Sequence, residues 1–276
     1  MRKHLFLSLV LGLIGIGAVR AAEIRVDLRL DQSVYVIGES VRGVVNVRNL
    51  SPEIIHCNEA LGAPDKMLIE IIRASNHEEL DKLTKTPITC SFLLKANEGQ
   101  KMEVRLADHF PLRQQGKFLA RPVLVHDGSR YEGQYRAFDL VPGIEMASAL
   151  QLFSNRPGQK RRFRLMRWTR NGTENLFLTS QDEGTSTRQW ATWDLGAVMK
   201  STPPIISISK DGRVVVIHRL GPDDFVRSEF WSLLDRLEFR SVERVADPET
   251  AGQNRVRELY KGESVAPANR PWWKFW

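Results

Sequence analysis

Cysteine is scarce in this 276-residue sequence: Cys57 and Cys90 are the only two, and no Cys-x-x-Cys or closely spaced histidine pair offers ligands for zinc. There is no Gly-x-Ser-x-Gly elbow, and outside the first 21 residues there is no phosphate-binding loop. His77 precedes Glu78 and Glu79, but the second histidine of a zinc-protease helix is missing. We therefore predict a protein without metal or cofactor and without a recognisable catalytic motif.

Long hydrophobic runs are also scarce. Residues 5–19 form one apolar run, which is shorter than the ~20 residues that a membrane-spanning helix needs. Because basic residues precede it and Val19-Arg20-Ala21 follows it, we predict a secretory signal peptide cleaved after Ala21 rather than a retained anchor. Cleavage removes three positive charges, so the formal net charge falls from +7 to +4. That value does not indicate a nucleic-acid binder. We expect an exported protein, periplasmic or extracellular.

The stretch from Glu23 to Asn49 is typical of β-strands. Its first charged residues alternate with four apolar ones, Ile24, Val26, Leu28 and Leu30. A turn follows at Tyr35-x-x-Gly38-Glu39, and then a valine-rich strand ends at Asn49. This order resembles the opening of Ig-like β-sandwich modules, especially macroglobulin-type and other extracellular bacterial sandwiches. The resemblance covers roughly the first half of the mature chain; it implies a scaffold that binds, and it names no activity.

Turn residues divide the remaining chain. Asn171-Gly172 and Asp211-Gly212 each predict a tight hairpin, and Pro142-Gly143 predicts the end of a strand. Pro122 lies inside the strand predicted over 116–125, which favours an edge or a bulge there. The resulting prediction is an all-β protein: a signal peptide (1–21), an Ig-like β-sandwich (22–146), a linker (147–159), a second antiparallel β domain (160–246) and a partly helical tail (247–276).

The two cysteines suggest one disulfide. In an oxidising compartment a Cys57–Cys90 bond closes a loop that contributes about 4 kcal/mol by restricting the unfolded chain. His56 adjoins Cys57, which invites an interpretation as a nucleophile and its base. Adjacent residues of a strand point to opposite faces, so we disfavour that interpretation.

The carboxyl terminus is rich in aromatic residues. Its last five residues are Trp272, Trp273, Lys274, Phe275 and Trp276. Tryptophan and lysine together suit a membrane interface, which suggests peripheral membrane contact. Docking on the chain's own second domain, or on a partner subunit, are the alternatives that remain open.

A second candidate binding site lies in the strand that begins at Lys160. Arg162, Arg164 and Trp168 share one face of that strand and predict a basic, aromatic patch for polyanions such as acidic glycans. Arg161 and Arg167 fall on the opposite face, which argues for ordinary solvent-facing charges instead. The acidic pairs Asp182-Glu183 and Asp223-Asp224 are also candidates to neutralise these arginines.

Three functions are compatible with these features. The first is a non-enzymatic exported β protein that binds another protein or an envelope component through an Ig-like scaffold. The second is an extracytoplasmic hydrolase of polysaccharide or peptide, with its site between the domains. The third is a structural subunit of an envelope assembly, held through the aromatic tail.

Overall fold

The computed structural model describes residues 23–58, 65–83, 91–153, 158–183 and 188–245. These residues form eighteen strands and one four-residue helix. The first ten strands are β1 Ile24–Leu30, β2 Val34–Val36, β3 Arg42–Asn49, β4 Ile55–Asn58, β5 Lys66–Arg73, β6 Ser91–Leu94, β7 Gly99–Arg105, β8 Gly116–His126, β9 Ser129–Glu132 and β10 Arg136–Val141. The helix, α1, is Leu106–His109, and the other strands are β11 Ile144–Leu152, β12 Lys160–Arg170, β13 Thr173–Glu183, β14 Arg188–Ala197, β15 Ile205–Ile208, β16 Arg213–Gly221, β17 Asp224–Ser232 and β18 Leu237–Val245.

The first unit, β1 to β10, contains a three-stranded and a five-stranded sheet. The smaller sheet has the order β1-β3-β7, and the larger has the order β2-β10-β8-β5, with β9 also paired to β8. Strands β4 and β6 form a separate pair. Within the described residues all these pairings are antiparallel except β2 with β10. The prediction of a mostly antiparallel β protein is therefore confirmed.

The core of this unit lies between the two sheets. Alternation in β1 buries Ile24, Val26 and Leu28 and exposes Arg25 and Arg29, as the sequence predicts. The inner residues of β3 and β7 join those of β5, β8 and β10 in one hydrophobic cluster. Charged side chains therefore remain on the outer face of the three-stranded sheet.

Pro122 lies in a strand that is paired on both sides, so the edge-strand alternative is wrong. On one side β8 pairs with β5, where Ile69 lies opposite Pro122. On the other side its partner is interrupted between β9 and β10, and the Gly133 amide donates to the Pro122 carbonyl at 2.9 Å. The N and O of one strand residue point the same way, so the missing donor of Pro122 faces this interruption.

The second unit, β11 to β18, consists of two four-stranded sheets. Their orders are β11-β12-β13-β14 and β15-β16-β17-β18, and one hydrophobic cluster joins their facing sides. Both tight hairpins are confirmed: Asn171 and Gly172 have φ of 51° and 78° between β12 and β13, and Gly212 has φ of 87° before β16. This is the region that the sequence predicts as a second antiparallel β domain.

Two predictions about local structure are corrected. Strand β11 covers 144–152 and pairs along β12, so residues 147–152 of the expected linker instead belong to the first strand of the second unit. This segment has few β-branched residues and buries only Gln151, so its alternation is weak. The alternation of Met102, Val104 and Leu106 predicts a strand over 98–106, but Leu106 instead begins α1. The tail over 247–276 and its predicted helix lie outside the described residues.

The Tyr35-x-x-Gly38-Glu39 turn joins the two units. The buried Tyr35 hydroxyl accepts from the Gln32 amide and donates to the Arg42 carbonyl, and burial raises its pKa to about 12. Gly38 has φ of 86°, and a Glu39 carboxylate oxygen accepts from the Val36 amide at 2.9 Å.

The turn then contacts the sheet that contains β12 to β14. The same Glu39 oxygen lies 2.6 Å from Nη2 of Arg170, and both side chains are largely buried. The Thr192 hydroxyl donates to the Ile37 carbonyl at 2.8 Å. A small hydrophobic cluster around Val36 and Phe177 completes the junction. Because the predicted motif supplies these contacts, its glutamate stabilises the junction between the units as well as its own turn.

No helix among the described residues is both long enough and apolar enough to cross a membrane.

Candidate anion-binding face

The arginines predicted to form a basic patch on β12 each have an acidic partner. Arg162 forms an ion pair with Glu183 on β13, and Arg164 approaches Glu145 on β11 at 3.5 Å. Arg162 lies opposite Gln181 and Lys160 lies opposite Glu183, so Arg162 and Glu183 are diagonal neighbours across the β12–β13 pair. Hydrogen bonding to Arg162 lowers the pKa of the Glu183 carboxyl. The carboxylates therefore offset the positive charge expected at this site.

Trp168, the aromatic member of the predicted patch, packs against the hydrophobic cluster at the junction between the units. Arg167 lies 3.2 Å from Glu174, and Arg170 contacts both Glu39 and Asp194. The structure therefore brings Arg162, Arg164 and Trp168 onto one strand but surrounds them with carboxylates and core contacts.

Arg161 is fully buried, and its guanidinium donates to other groups of the protein. Its Nε lies 2.7 Å from the Asp182 carboxylate, and its Nη1 donates to the Ser232 hydroxyl at 3.0 Å. Nη2 donates at 3.1 Å to the Leu234 carbonyl, in the loop between β17 and β18. A buried guanidinium needs this full set of acceptors. Arg161 thus holds a loop of one sheet onto the other and presents no charge to solvent.

Cations with few carboxylate partners instead collect on the outer face of the three-stranded sheet. We call this surface the basic face; six of its residues are cations: Arg25, Arg29, Arg42, Arg48, Lys101 and Arg105. All six side chains belong to exposed residues, and the acidic residues among their outward neighbours on these strands are Asp27 and Glu103. The basic face therefore carries a clear excess of positive charge.

Strand register places arginines directly opposite each other on this face. Arg25 on β1 lies directly opposite Arg48 on β3, and Arg42 on β3 lies directly opposite Arg105 on β7. Like charges at directly opposite positions destabilise a β-sheet. Two such pairs on one face are energetically unfavourable for the isolated protein, and an anion bound between them would relieve the repulsion.

Few carboxylates offset these charges. Arg25 pairs with Asp27 at 2.7 Å, and Arg105 approaches Asp108 at 3.6 Å in an exposed contact. Among the residues that the structure describes, no ion pair within 4 Å involves the other four cations, Arg29, Arg42, Arg48 and Lys101. This contrasts with β12, where every arginine discussed above has a carboxylate partner.

The basic face is shallowly grooved. A depression of about 1000 Å³ runs beside β1 and reaches Asn46, Lys101 and Arg136. A second depression of about 480 Å³ lies beside it, lined by Asp31, Arg42 and Arg105 among others. Among the described residues, neither lining includes an aromatic side chain. Such a surface suits an extended charged chain better than a small apolar ligand.

The cleft where the two units meet is smaller. It has a volume of about 360 Å³ and is lined by Arg42, Arg105, Arg113, Asp108 and Trp193, among other residues. The described residues of its lining include one carboxylate, from Asp108, and no histidine. These described residues do not supply the two carboxyl groups that acid–base hydrolysis of a glycoside requires.

The remaining predicted site residues fall partly outside the described residues. Cys57 is completely buried and is not a free thiol, whereas Cys90 is not described. Ser91, the neighbour of Cys90, pairs with Asn58, the neighbour of Cys57. The five aromatic-tail residues, Trp272, Trp273, Lys274, Phe275 and Trp276, also lie outside. The Cys57–Cys90 bond and the role of the tail remain predictions.

The basic face was missed in the sequence because its residues come from three strands. Arg48 and Lys101 meet only after β3 pairs with β7. In each strand by itself, charge alternating with apolar residues is the ordinary pattern of a half-buried strand. The available signal was the repetition of arginine at Arg25 and Arg29, and again at Arg42 and Arg48, on the solvent-facing positions.

No protein-family model and no curated protein matches this sequence. Among solved structures, a search finds the sporulation control protein Spo0M from Bacillus subtilis, with 10% identity over 87% of this chain and 96% of that chain and a TM-score of 0.29. It also finds the alkylpurine DNA glycosylase AlkC from Pseudomonas fluorescens, bound to DNA containing an abasic site analog, with 15% identity and a TM-score of 0.29. That match covers 43% of this chain and spans only 30% of the glycosylase. At these scores neither similarity supports an inference about fold or function.

Proposed function

We propose that this chain is an exported, non-enzymatic binding protein that holds an acidic glycan on its basic face. The observation that carries the proposal is that two pairs of arginines, Arg25 with Arg48 and Arg42 with Arg105, lie at directly opposite positions on an exposed sheet face. Repulsion within each pair decreases when a carboxylate or sulfate lies between the two guanidinium groups.

The shape and composition of the face support an extended ligand. Five of its six cations are arginines, and arginine binds carboxylate groups through two parallel hydrogen bonds. The strands lie about 4.8 Å apart, so the cations are spread over a surface that a polymer can follow. The described residues that line the grooves provide no aromatic anchor for a lipid interface. An acidic glycan of the cell envelope therefore fits better than a membrane surface.

Several finer features belong to this proposal. The first unit serves as an Ig-like scaffold, a Cys57–Cys90 disulfide stabilises it in the oxidising compartment, and the signal peptide directs export. The aromatic tail anchors the protein to its own second unit, to a partner or to a membrane surface. A partner captured only by the intact tail would favour the alternative of an envelope subunit.

The test compares a charge-reversed face with a matched control. Arg48→Glu with Lys101→Glu changes the net charge as much as Lys200→Glu with Lys210→Glu, two exposed lysines of the second unit. Binding to polygalacturonate is measured at 50 mM and 300 mM NaCl, with uncharged dextran for comparison. Each of the two substitutions removes one attraction to the polymer and adds one repulsion, and each of these four changes is worth about 0.4 kcal/mol. Together they sum to roughly 1.6 kcal/mol, which lowers the affinity slightly more than tenfold.

We expect the face variant to bind polygalacturonate at least about tenfold more weakly at the lower salt concentration. The control variant should lose much less, and wild-type affinity should fall as salt rises. Equal losses in the two variants would show that net charge alone attracts the polymer. Equal binding of dextran by the wild type would also contradict the proposal.

The hydrolase alternative finds less support. The cleft between the units offers the Asp108 carboxylate without a second acid or a histidine in its described lining. Turnover of polygalacturonate in the same assay would nevertheless revive it.

A further inference from the structure

A histidine and two aspartates meet at the tip of the β8–β9 hairpin. His126 is the last residue of β8, and Asp127 and Gly128 form the turn with φ of 48° and 73°. Asp65 directly precedes β5, where Lys66 pairs with Val125. Strand pairing thus brings residues that are about sixty positions apart in sequence to the same point.

Each ring nitrogen of His126 faces a different carboxylate. Nδ1 lies 3.2 Å from an Asp65 oxygen, and Nε2 lies 3.5 Å from an Asp127 oxygen. One candidate ligand atom from each of the three residues lies within 4.8 Å of the others. His126 and Asp65 are buried, whereas the Asp127 side chain is 86% exposed. Asp65 therefore holds the ring from the inside, and Nε2 of the buried ring lies beside the exposed Asp127 carboxylate.

We propose that this cluster is a binding site for a divalent transition-metal ion such as zinc. Nε2 of His126 and the Asp127 carboxylate are the direct ligands, and water completes the coordination. In a tetrahedral zinc site with bonds of about 2.1 Å, ligand atoms lie roughly 3.4 Å apart. The distance of 3.5 Å between His126 Nε2 and the Asp127 carboxylate oxygen is already close to this separation.

Asp65 acts as a positioning residue in this site. A metal-binding histidine commonly donates its other N–H to a carboxylate, which fixes the ring and makes the ligating nitrogen more basic. The Asp65 carboxylate is placed for that hydrogen bond, and it also accepts from the Asp127 amide at 3.4 Å. Asp65 therefore fixes both the ring and the backbone of the exposed ligand.

The charge around the exposed ligand also favours a cation. Among the described residues, no lysine or arginine lies within ion-pair distance of Asp127; its one ion-pair contact there is with His126. The carboxylate is consequently available to a metal without breaking a salt bridge. A bound ion would fasten the β8–β9 hairpin at the position next to the start of β5.

Isothermal titration calorimetry of the mature chain with zinc chloride, after treatment with a chelator, tests the site. We expect saturable binding of one ion per chain in the wild type. Asp127→Asn should weaken binding at least about tenfold, and it keeps the turn because asparagine favours the same backbone conformation. Asp223→Asn, in another exposed hairpin turn, is the matched control and should bind zinc as the wild type does.

His126→Gln should abolish the binding, but because His126 is buried its folding must be checked by circular dichroism. Asp127→Asn keeps the proposal falsifiable if that variant does not fold. The absence of saturable binding to the wild type at 200 µM zinc would overturn the proposal, and so would equal affinities for the wild type and Asp127→Asn. Mg²⁺ in place of zinc should bind much more weakly, since it prefers oxygen ligands.

Discussion

Replacing Arg48 should stabilise the protein while it weakens the proposed binding. Arg48 lies directly opposite Arg25 and is exposed, and on its other side its pairing partner is Gly99. Arg48→Gln removes the repulsion between two like charges. Arg48→Glu replaces it with an attraction. We therefore expect the stability at low salt to rise from wild type to Arg48→Gln and again to Arg48→Glu.

The magnitude follows from cross-strand pair energies. Opposite charges at directly opposed positions contribute about 0.2–1 kcal/mol, and like charges cost a similar amount. The first substitution is therefore worth about 0.5 kcal/mol and the second about 1 kcal/mol in total. In a protein of this size 1 kcal/mol corresponds to roughly 2–4 °C in melting temperature. Arg25 already contacts Asp27, which partly neutralises it, so the lower end of this range is the better expectation.

Thermal unfolding of the three proteins is measured at 20 mM and 500 mM NaCl. Because exposed charges are screened over a few ångströms at high salt, the differences should shrink there. The same proteins are titrated with polygalacturonate, and the order of affinity should be the reverse of the order of stability. A melting temperature for Arg48→Glu at or below that of Arg48→Gln in low salt would refute the electrostatic reasoning.

Three further predictions concern the core. Arg161→Ala leaves Asp182 buried without its partner, so the free energy of unfolding measured in urea should fall by about 3–5 kcal/mol; a loss below about 1 kcal/mol would contradict a structural role. Gly133→Ala places a Cβ 2.6 Å from the Val26 carbonyl oxygen and should cost about 1–3 kcal/mol in the same assay, whereas wild-type stability would show that the strand shifts freely. Burial lowers the pKa of His218 from 6.5 to about 4, so the unfolded chain takes up its proton first as the pH falls. Stability from this group is complete above pH 6.5 and is lost toward pH 4, on the order of 3 kcal/mol, and an NMR titration midpoint of His218 above pH 6 would exclude this.

The strands that were predicted well have a signal within a few residues. Strand β1 alternates apolar and charged side chains, and the β12–β13 hairpin has Asn171-Gly172 at a turn where two positive φ values are needed. Burial of one face and turn conformation are local consequences of such patterns. They do not depend on which other strand becomes the neighbour.

The predictions that were wrong concern residues whose structure depends on the neighbouring strand. Pro122 looks like an edge residue by itself, but an interruption in the partner strand accommodates its missing amide hydrogen inside the sheet. Strand β11 has weak alternation of its own and is ordered through its pairing with β12. In both cases the deciding partner is known only after the sheets have formed.

Charge shows the same dependence most clearly. A row of arginines such as Arg161, Arg162 and Arg164 looks like a polyanion site in sequence, yet strand β13 supplies Asp182 and Glu183 beside two of them. Arg48 and Lys101 look like ordinary solvent-facing residues, yet among the described residues no carboxylate lies within ion-pair distance of either. The net charge of a surface is thus set by the neighbouring strands. The fold leaves some positive charges without carboxylate partners, despite the small energetic cost of their repulsion. Such charges are better evidence for an external anion than the density of arginine along the chain.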